Sequence, residues 1–210
     1  MKHVVAFLLL LLTVVACTDG DSMRRQLQAL QARNQADSLM TDLSQATRLC
    51  QYFDSHGTPN ERMLAHYLLG RTYADLGEAP QALDAYHTAA DCADTTAQDC
   101  DYRLLARIHG QTADIFLSQN LPYEMLEQEN RVYSAAKKGN DTLMWIGAIE
   151  WTHISYDLIG DSIKALAATI QAYDQYLKYG YTQQAANCAS AVAAYLINAG
   201  RYEEAKKYKE

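Results

Sequence analysis

The chain has 210 residues, a formal net charge of -7, 49% hydrophobic residues and 20% charged ones. Its apolar content and fifteen Tyr exclude a disordered chain, and its acidity argues against a broadly basic nucleic-acid binder. Three Pro and ten Gly in an Ala-rich sequence point to helices rather than many short strands.

Lys2 and His3 precede an apolar run over residues 4–12, followed by Thr13, Val14, Val15, Ala16 and Cys17. The apolar stretch 4–16 is 13 residues long, well short of the ~20 that a membrane-spanning helix needs. A short positive region, an apolar core and a small residue before a cut are the layout of a secretory signal. The four residues Val14-Val15-Ala16-Cys17 resemble the lipobox of bacterial lipoproteins. That resemblance implies a signal peptide over 1–16, cleavage before Cys17, and lipidation of the Cys17 thiol. The product would be exported and anchored in the membrane by its acyl chains. Thr18 stands where some bacteria use Asp to retain lipoproteins in the inner membrane, so the resemblance implies the outer membrane. Asp19 and Asp21 fit either a cell-surface signal or a solvated acidic tether over 17–22.

Residues 26–36 and 37–53 read as helices, the second with the stripe Leu39, Leu43, Ala46, Leu49, Cys50 and Phe53. His56-Gly57-Thr58-Pro59 ends it. We take 23–55 as a divergent leading pair of helices that covers the next pair.

Residues 63–96 contain Leu69-Gly70-x-x-Tyr73-x-x-x-Gly77 and then Ala82-x-x-x-Tyr86-x-x-Ala89. This pattern resembles the tetratricopeptide repeat (TPR), a helix-turn-helix unit of 34 residues. Counted from Met63, seven of the nine marked positions match in type; His66 and Asp94 depart from it. Gly70, Ala82 and Ala89 are small where two helices approach. Gly77 suits a positive φ after the first helix, and Pro80 suits the first turn of the second. Weaker copies start at Ala106 (with Ala113, Phe116 and Asn120), at Ile146 (Tyr156, Gly160 and Ala165) and at Ala185 (Leu196, Gly200 and Ala205). In the second copy Glu129 replaces an aromatic and Met125 is larger than the pattern; in the third His153 replaces a small residue. The starts lie 43, 40 and 39 residues apart, so the surplus over 34 belongs to longer helices or loops. The expected fold is all-α: antiparallel helix pairs over 63–210, stacked as a right-handed solenoid of about four repeats. The last repeat is incomplete, and we expect the chain to be part of a longer frame or its end to be covered by a partner.

Five Cys occur. Cys92 and Cys100 flank a polar loop that an oxidising compartment can close with a disulfide or leave as two thiols. Cys50 and Cys188 lie on apolar stripes. Asp91, Asp94, Asp99 and Asp101 lack the Gly and the spacing of a calcium loop. None of the six His forms a zinc spacing, and no phosphate loop or nucleophile elbow is present. We expect no metal, no cofactor and no catalytic residue, with His66, His109 and His153 structural. Trp145 and Trp151 read as helical core before they read as a binding platform.

In TPR proteins the first helices of successive pairs line a peptide-binding groove. The resemblance carries that role to Leu64, Tyr67, Arg71, Arg107, Asp114, Glu150 and Asp157, with Arg71 and Arg107 able to hold a carboxylate. It implies a membrane-anchored scaffold with a protein or peptide partner and no enzymatic activity. A glycan-capture lipoprotein, an outer-membrane assembly lipoprotein and the sensor part of a longer regulator are the alternatives.

Overall fold

The computed structural model describes residues 20–208. The signal segment and Cys17 lie outside the described residues. Among those described, the chain is all-α, and no helix is long and apolar enough to cross a membrane. The chain divides into two compact units, one ending at Asp94 and one starting at Thr95.

The first unit contains α1 (20–35), α2 (Leu43–His56), α3 (Pro59–Asp75) and α4 (Ala79–Asp91). Residues 20–22, expected in a tether, are already helical. The helix expected from Asp37 does not form: Asp37 takes a φ of 49°, and Asp42 restarts the helix by accepting from the Gln45 N–H at 2.9 Å. Leu39 is therefore 70% exposed, and its neighbour Met40 fills the core instead at 1%. The rest of the stripe holds, with Ala46, Leu49, Cys50 and Phe53 buried. α3 starts four residues before Met63. Thr58 and Glu61 form a reciprocal capping box there, and Pro59 occupies the first turn, where its missing N–H costs nothing.

Gly70 lets α3 and α4 approach. A Cβ added there would lie 2.4 Å from Tyr86 Cε1, and the Tyr86 ring is fully buried. Ala82 and Ala89 are likewise at 0% exposure. Leu69 and Tyr73 are only half-buried.

The second unit contains α5 (Tyr102–Ser118), α6 (Pro122–Lys138), α7 (Thr142–Ile159), α8 (Ser162–Lys178), α9 (Thr182–Asn198) and α10 (Tyr202–Ala205), which runs into a 3-10 turn over Lys206–Tyr208. Each helix packs on the next, and the short connections make neighbours antiparallel. One turn recurs throughout. Asn120, Asn140, Gly160, Gly180 and Gly200 have φ of 56°, 53°, 85°, 78° and 71°. After each, the next N–H returns to the carbonyl five residues back, as from Leu121 to Phe116 at 2.9 Å and from Arg201 to Leu196 at 2.8 Å. This is the Schellman arrangement. Gly77 does the same in the first unit, with φ 79° and a 2.9 Å bond from the Glu78 N–H to the Tyr73 carbonyl.

The left-handed residues of the second unit stand 20 positions apart. Helices of 17 or 18 residues and turns of two or three account for that spacing. In the second unit the surplus over a 34-residue unit is therefore helix length, while between the first two starts the connection 92–101 contributes as well. Ala113 and Ala165 are at 0% exposure, Ala205 at 1% and Leu196 at 2%, while Phe116 and Tyr156 are half-buried. Fully burying a side chain such as Ile108, Ile146 or Leu196 stabilises the fold by about 1.5–3 kcal/mol.

Candidate functional site

Most of the residues expected to line a groove are engaged within the protein. Tyr67 is buried at 6%, and its hydroxyl accepts from Asn34 Nδ2 at 3.5 Å. Arg71 Nη2 donates to Asp75 Oδ1 at 3.3 Å, while Asp75 Oδ2 accepts the Met40 N–H at 2.8 Å. Tyr67 thus ties α1 to α3, and Arg71 pairs with Asp75 on its own helix, while the other Asp75 carboxylate oxygen holds the Met40 backbone. Leu64 is half-buried on the same helix.

In the second unit, Glu150 accepts the Tyr176 hydroxyl at 2.7 Å, and Asp157 accepts the Tyr195 hydroxyl. Burial first, and then these carboxylates, push both phenols above their usual range. Glu150 and Asp157 thus join α7 to α8 and α9. Asp114 is exposed and accepts from Gln111 Nε2 at 3.1 Å; Arg107 is exposed on the same helix.

The three histidines on the repeat helices have partners within the protein. His66 Nε2 lies 2.8 Å from Asp54 Oδ1, His109 Nδ1 2.9 Å from Gln128 Oε1, and His153 Nδ1 2.6 Å from the Glu150 carbonyl. Cys92 and Cys100 are both partly exposed. Burial pushes the Cys50 and Cys188 thiols up to about 12, which leaves them inert. Trp145 is buried at 5% between the edges of Tyr133 and Tyr179, with Lys137 Nζ 3.5 Å from its ring centre. Trp151 departs from the expected core role and is 46% exposed. Among the described residues, no group of three or more His, Cys, Asp or Glu is placed to hold a metal ion.

A cleft of about 370 Å³ lies among α6, α7 and α8. Leu126, Ile149, Ala148 and Ala168 give it apolar walls, and Tyr133 and Tyr156 line it with rings. Glu129, Asn130, Thr152, Lys164 and Gln171 are its polar lining, and of these Glu129 is buried at 7% exposure. No hydrogen bond from a described donor reaches this carboxylate. Burial, and then the neighbouring Asp114 charge, push it up to about 8. At the repeat position where the first copy has Tyr86, the second has Glu129 and the third has Thr169. The sequence showed Glu129 as a departure from the pattern, but the cavity needs three helices to be seen.

Lys164, on the wall of the cleft, is bonded to Asp161 at 3.0 Å and lies 5.6 Å from the Tyr156 ring centre. Two large apolar residues near the starts of α6 and α8 are open to solvent: Tyr123 at 69% and Ile163 at 81%.

No protein-family model matches the chain, and no curated protein matches it. Solved structures do. The chain is similar to the TPR-like repeats of a Podosopora anserina putative kinesin light chain, with a TM-score of 0.67, 12% identity, and coverage of 89% of this chain and 91% of that one. It is similar to the apo form of RapI, with a TM-score of 0.72, 12% identity, and coverage of 89% and 67%. It is also similar to MamA, with a TM-score of 0.58, 17% identity, and coverage of 90% and 88%. At these identities the likeness shows a TPR-like helical-repeat fold.

Proposed function

We propose that this chain is a non-enzymatic, membrane-anchored scaffold of the bacterial cell envelope that binds a protein partner through the α6–α7–α8 cleft. The observation that carries the reading is that cleft: apolar, aromatic-walled and open, on a helical-repeat framework of a kind suited to holding peptides. The anchor is Cys17, exported by the 1–16 signal, acylated, and directed to the outer membrane with the surface as a further destination. The apolar run, the lipobox-like residues and Thr18 support that part of the reading.

Two measurements test it. The Cys17→Ser variant should incorporate no labelled palmitate and should leave the membrane fraction; unchanged labelling contradicts the anchor. Tagged wild-type protein and a Tyr123→Ala/Tyr133→Ala double variant should then be purified from native envelopes. The reading expects a defined protein to co-purify with wild type and to be lost with the variant. The same proteins recovered with both would contradict the cleft as the binding surface.

A further inference from the structure

We propose that the α6–α7–α8 cleft is a socket for a primary ammonium on an alkyl stem, the side chain of a partner lysine, with Glu129 as its counter-ion. This rests on the scaffold reading and names the chemistry that the same site recognises.

Three observations carry it. Glu129 is only 7% exposed, lines the cleft, and accepts no hydrogen bond from a described donor. A buried carboxyl without a partner costs stability, and the group that relieves it most is a cation able to donate hydrogen bonds. The rest of the site fits a stem rather than a compact ion, since Leu126, Ile149, Ala148 and Ala168 offer apolar contact along its length. The Tyr133 and Tyr156 rings line the same cleft, and each already lies near a lysine ammonium, Lys137 at 5.5 Å and Lys164 at 5.6 Å.

The charges around Glu129 favour a cation over an anion. Asp114 on α5 adds a second negative charge. Lys164 on α8 is the cation lining the cleft, and Asp161 offsets it at 3.0 Å. With its carboxyl pushed up to about 8, Glu129 holds a proton at neutral pH. An incoming ammonium makes the carboxylate the favoured form, so binding releases that proton to solvent. No covalent step is involved. Lysine is favoured over arginine because a compact ammonium needs one acceptor, whereas the planar guanidinium is matched by a bidentate one with its remaining donors satisfied.

Calorimetry with the full chain tests this at pH 7, in two buffers of different ionisation enthalpy. The probes are a capped Leu-Lys-Leu peptide, its ε-N-acetyl-lysine form, and n-pentylamine. The expected result is binding of the lysine peptide about tenfold or more tighter than the acetylated one, with release of close to one proton. Glu129→Gln should abolish both the discrimination and the proton release while keeping a cooperative melt. Ala167→Leu, which adds bulk to the cleft wall and keeps the Glu129 carboxyl, should weaken the lysine peptide by a similar factor.

Equal binding of the two peptides, or discrimination that survives Glu129→Gln, overturns the proposal. Pentylamine binding as tightly as the lysine peptide overturns the partner lysine as the source and identifies a free amine instead. The scaffold reading is tested separately by the envelope co-purification: lysine selectivity with no co-purifying protein would leave the ammonium socket standing and remove the scaffold.

Discussion

Replacing Gly70 by Ala tests the close packing on which the first unit is built. The added Cβ would sit 2.4 Å from Tyr86 Cε1 and 2.5 Å from Cδ1, distances that packed atoms do not tolerate. The ring is at 0% exposure, so it has no open space to turn into. Overpacking of this kind costs about 1–3 kcal/mol. Against that, Ala in a helix interior gains about 0.8–1 kcal/mol over Gly. The net expectation is destabilisation of about 1–2 kcal/mol for Gly70→Ala. Gly110 supplies the control. It also lies inside a helix, but its added Cβ would meet only Val132 Cγ2 at 4.0 Å, an ordinary contact. Gly110→Ala should therefore stabilise by roughly 0.5–1 kcal/mol. Urea unfolding followed by far-UV circular dichroism reads both variants. Trp145 and Trp151 lie in the second unit, so Trp emission follows the Gly110 effect separately. If Gly70→Ala were as stable as wild type, α3 and α4 would not approach as closely as the Gly70–Tyr86 contact requires.

Glu129 makes stability depend on pH. Its folded-state pKa is raised, so its contribution is present below the ordinary carboxylate range near 4.5 and is lost as pH rises through about 8. Across that window the loss is on the order of a few kcal/mol, and Glu129→Gln is free of it, so its thermal advantage over wild type should grow from pH 5 to pH 8. Parallel pH profiles would contradict the buried carboxyl. Ser155 Oγ is fully buried and has no hydrogen-bond partner among the described residues. Ser155→Ala should be neutral or stabilising by about 1 kcal/mol in the same urea assay, whereas a clear loss would show that the hydroxyl is paired. Asn120 and Asn140 hold left-handed backbone at φ 56° and 53°. Ala at either position should cost about 1–2 kcal/mol relative to Gly there, and equal stability of the Ala and Gly variants would contradict the turn geometry.

The turns were the most legible part of the fold. Gly77 was expected to adopt a positive φ and does, and Asn120, Gly160 and Gly200, at the same place in the later copies, do the same. Asn140 and Gly180 use the same device and were missed. The repeat pattern marks the turn inside a helix pair, whereas these two lie between pairs. Reading the 20-residue spacing of Asn and Gly would have found them. Small residues such as Gly70 and Ala82 were recognisable because close helix approach forbids anything larger.

The groove was poorly legible. A helical face can be drawn from spacing alone, but what covers it depends on other elements. Asn34 and Met40 reach Tyr67 and the Arg71–Asp75 pair from more than thirty residues away. Tyr176 and Tyr195 claim Glu150 and Asp157 from later helices. Glu129 was visible as an exception to the pattern. Its burial beside a cleft of three helices belongs to packing and not to periodicity.

Docking of a protein in the α6–α7–α8 cleft is read out in the native envelope by photo-crosslinking, with a benzophenone amino acid placed at Tyr133 or, separately, at Arg107. Tyr133 is on the cleft wall, whereas Arg107 lies on α5 on the face where the repeat pattern expected the ligand. If the cleft holds the partner, position 133 gives one discrete higher-mass adduct and position 107 gives none. An adduct from 107 alone, or none from either, would contradict docking in the cleft.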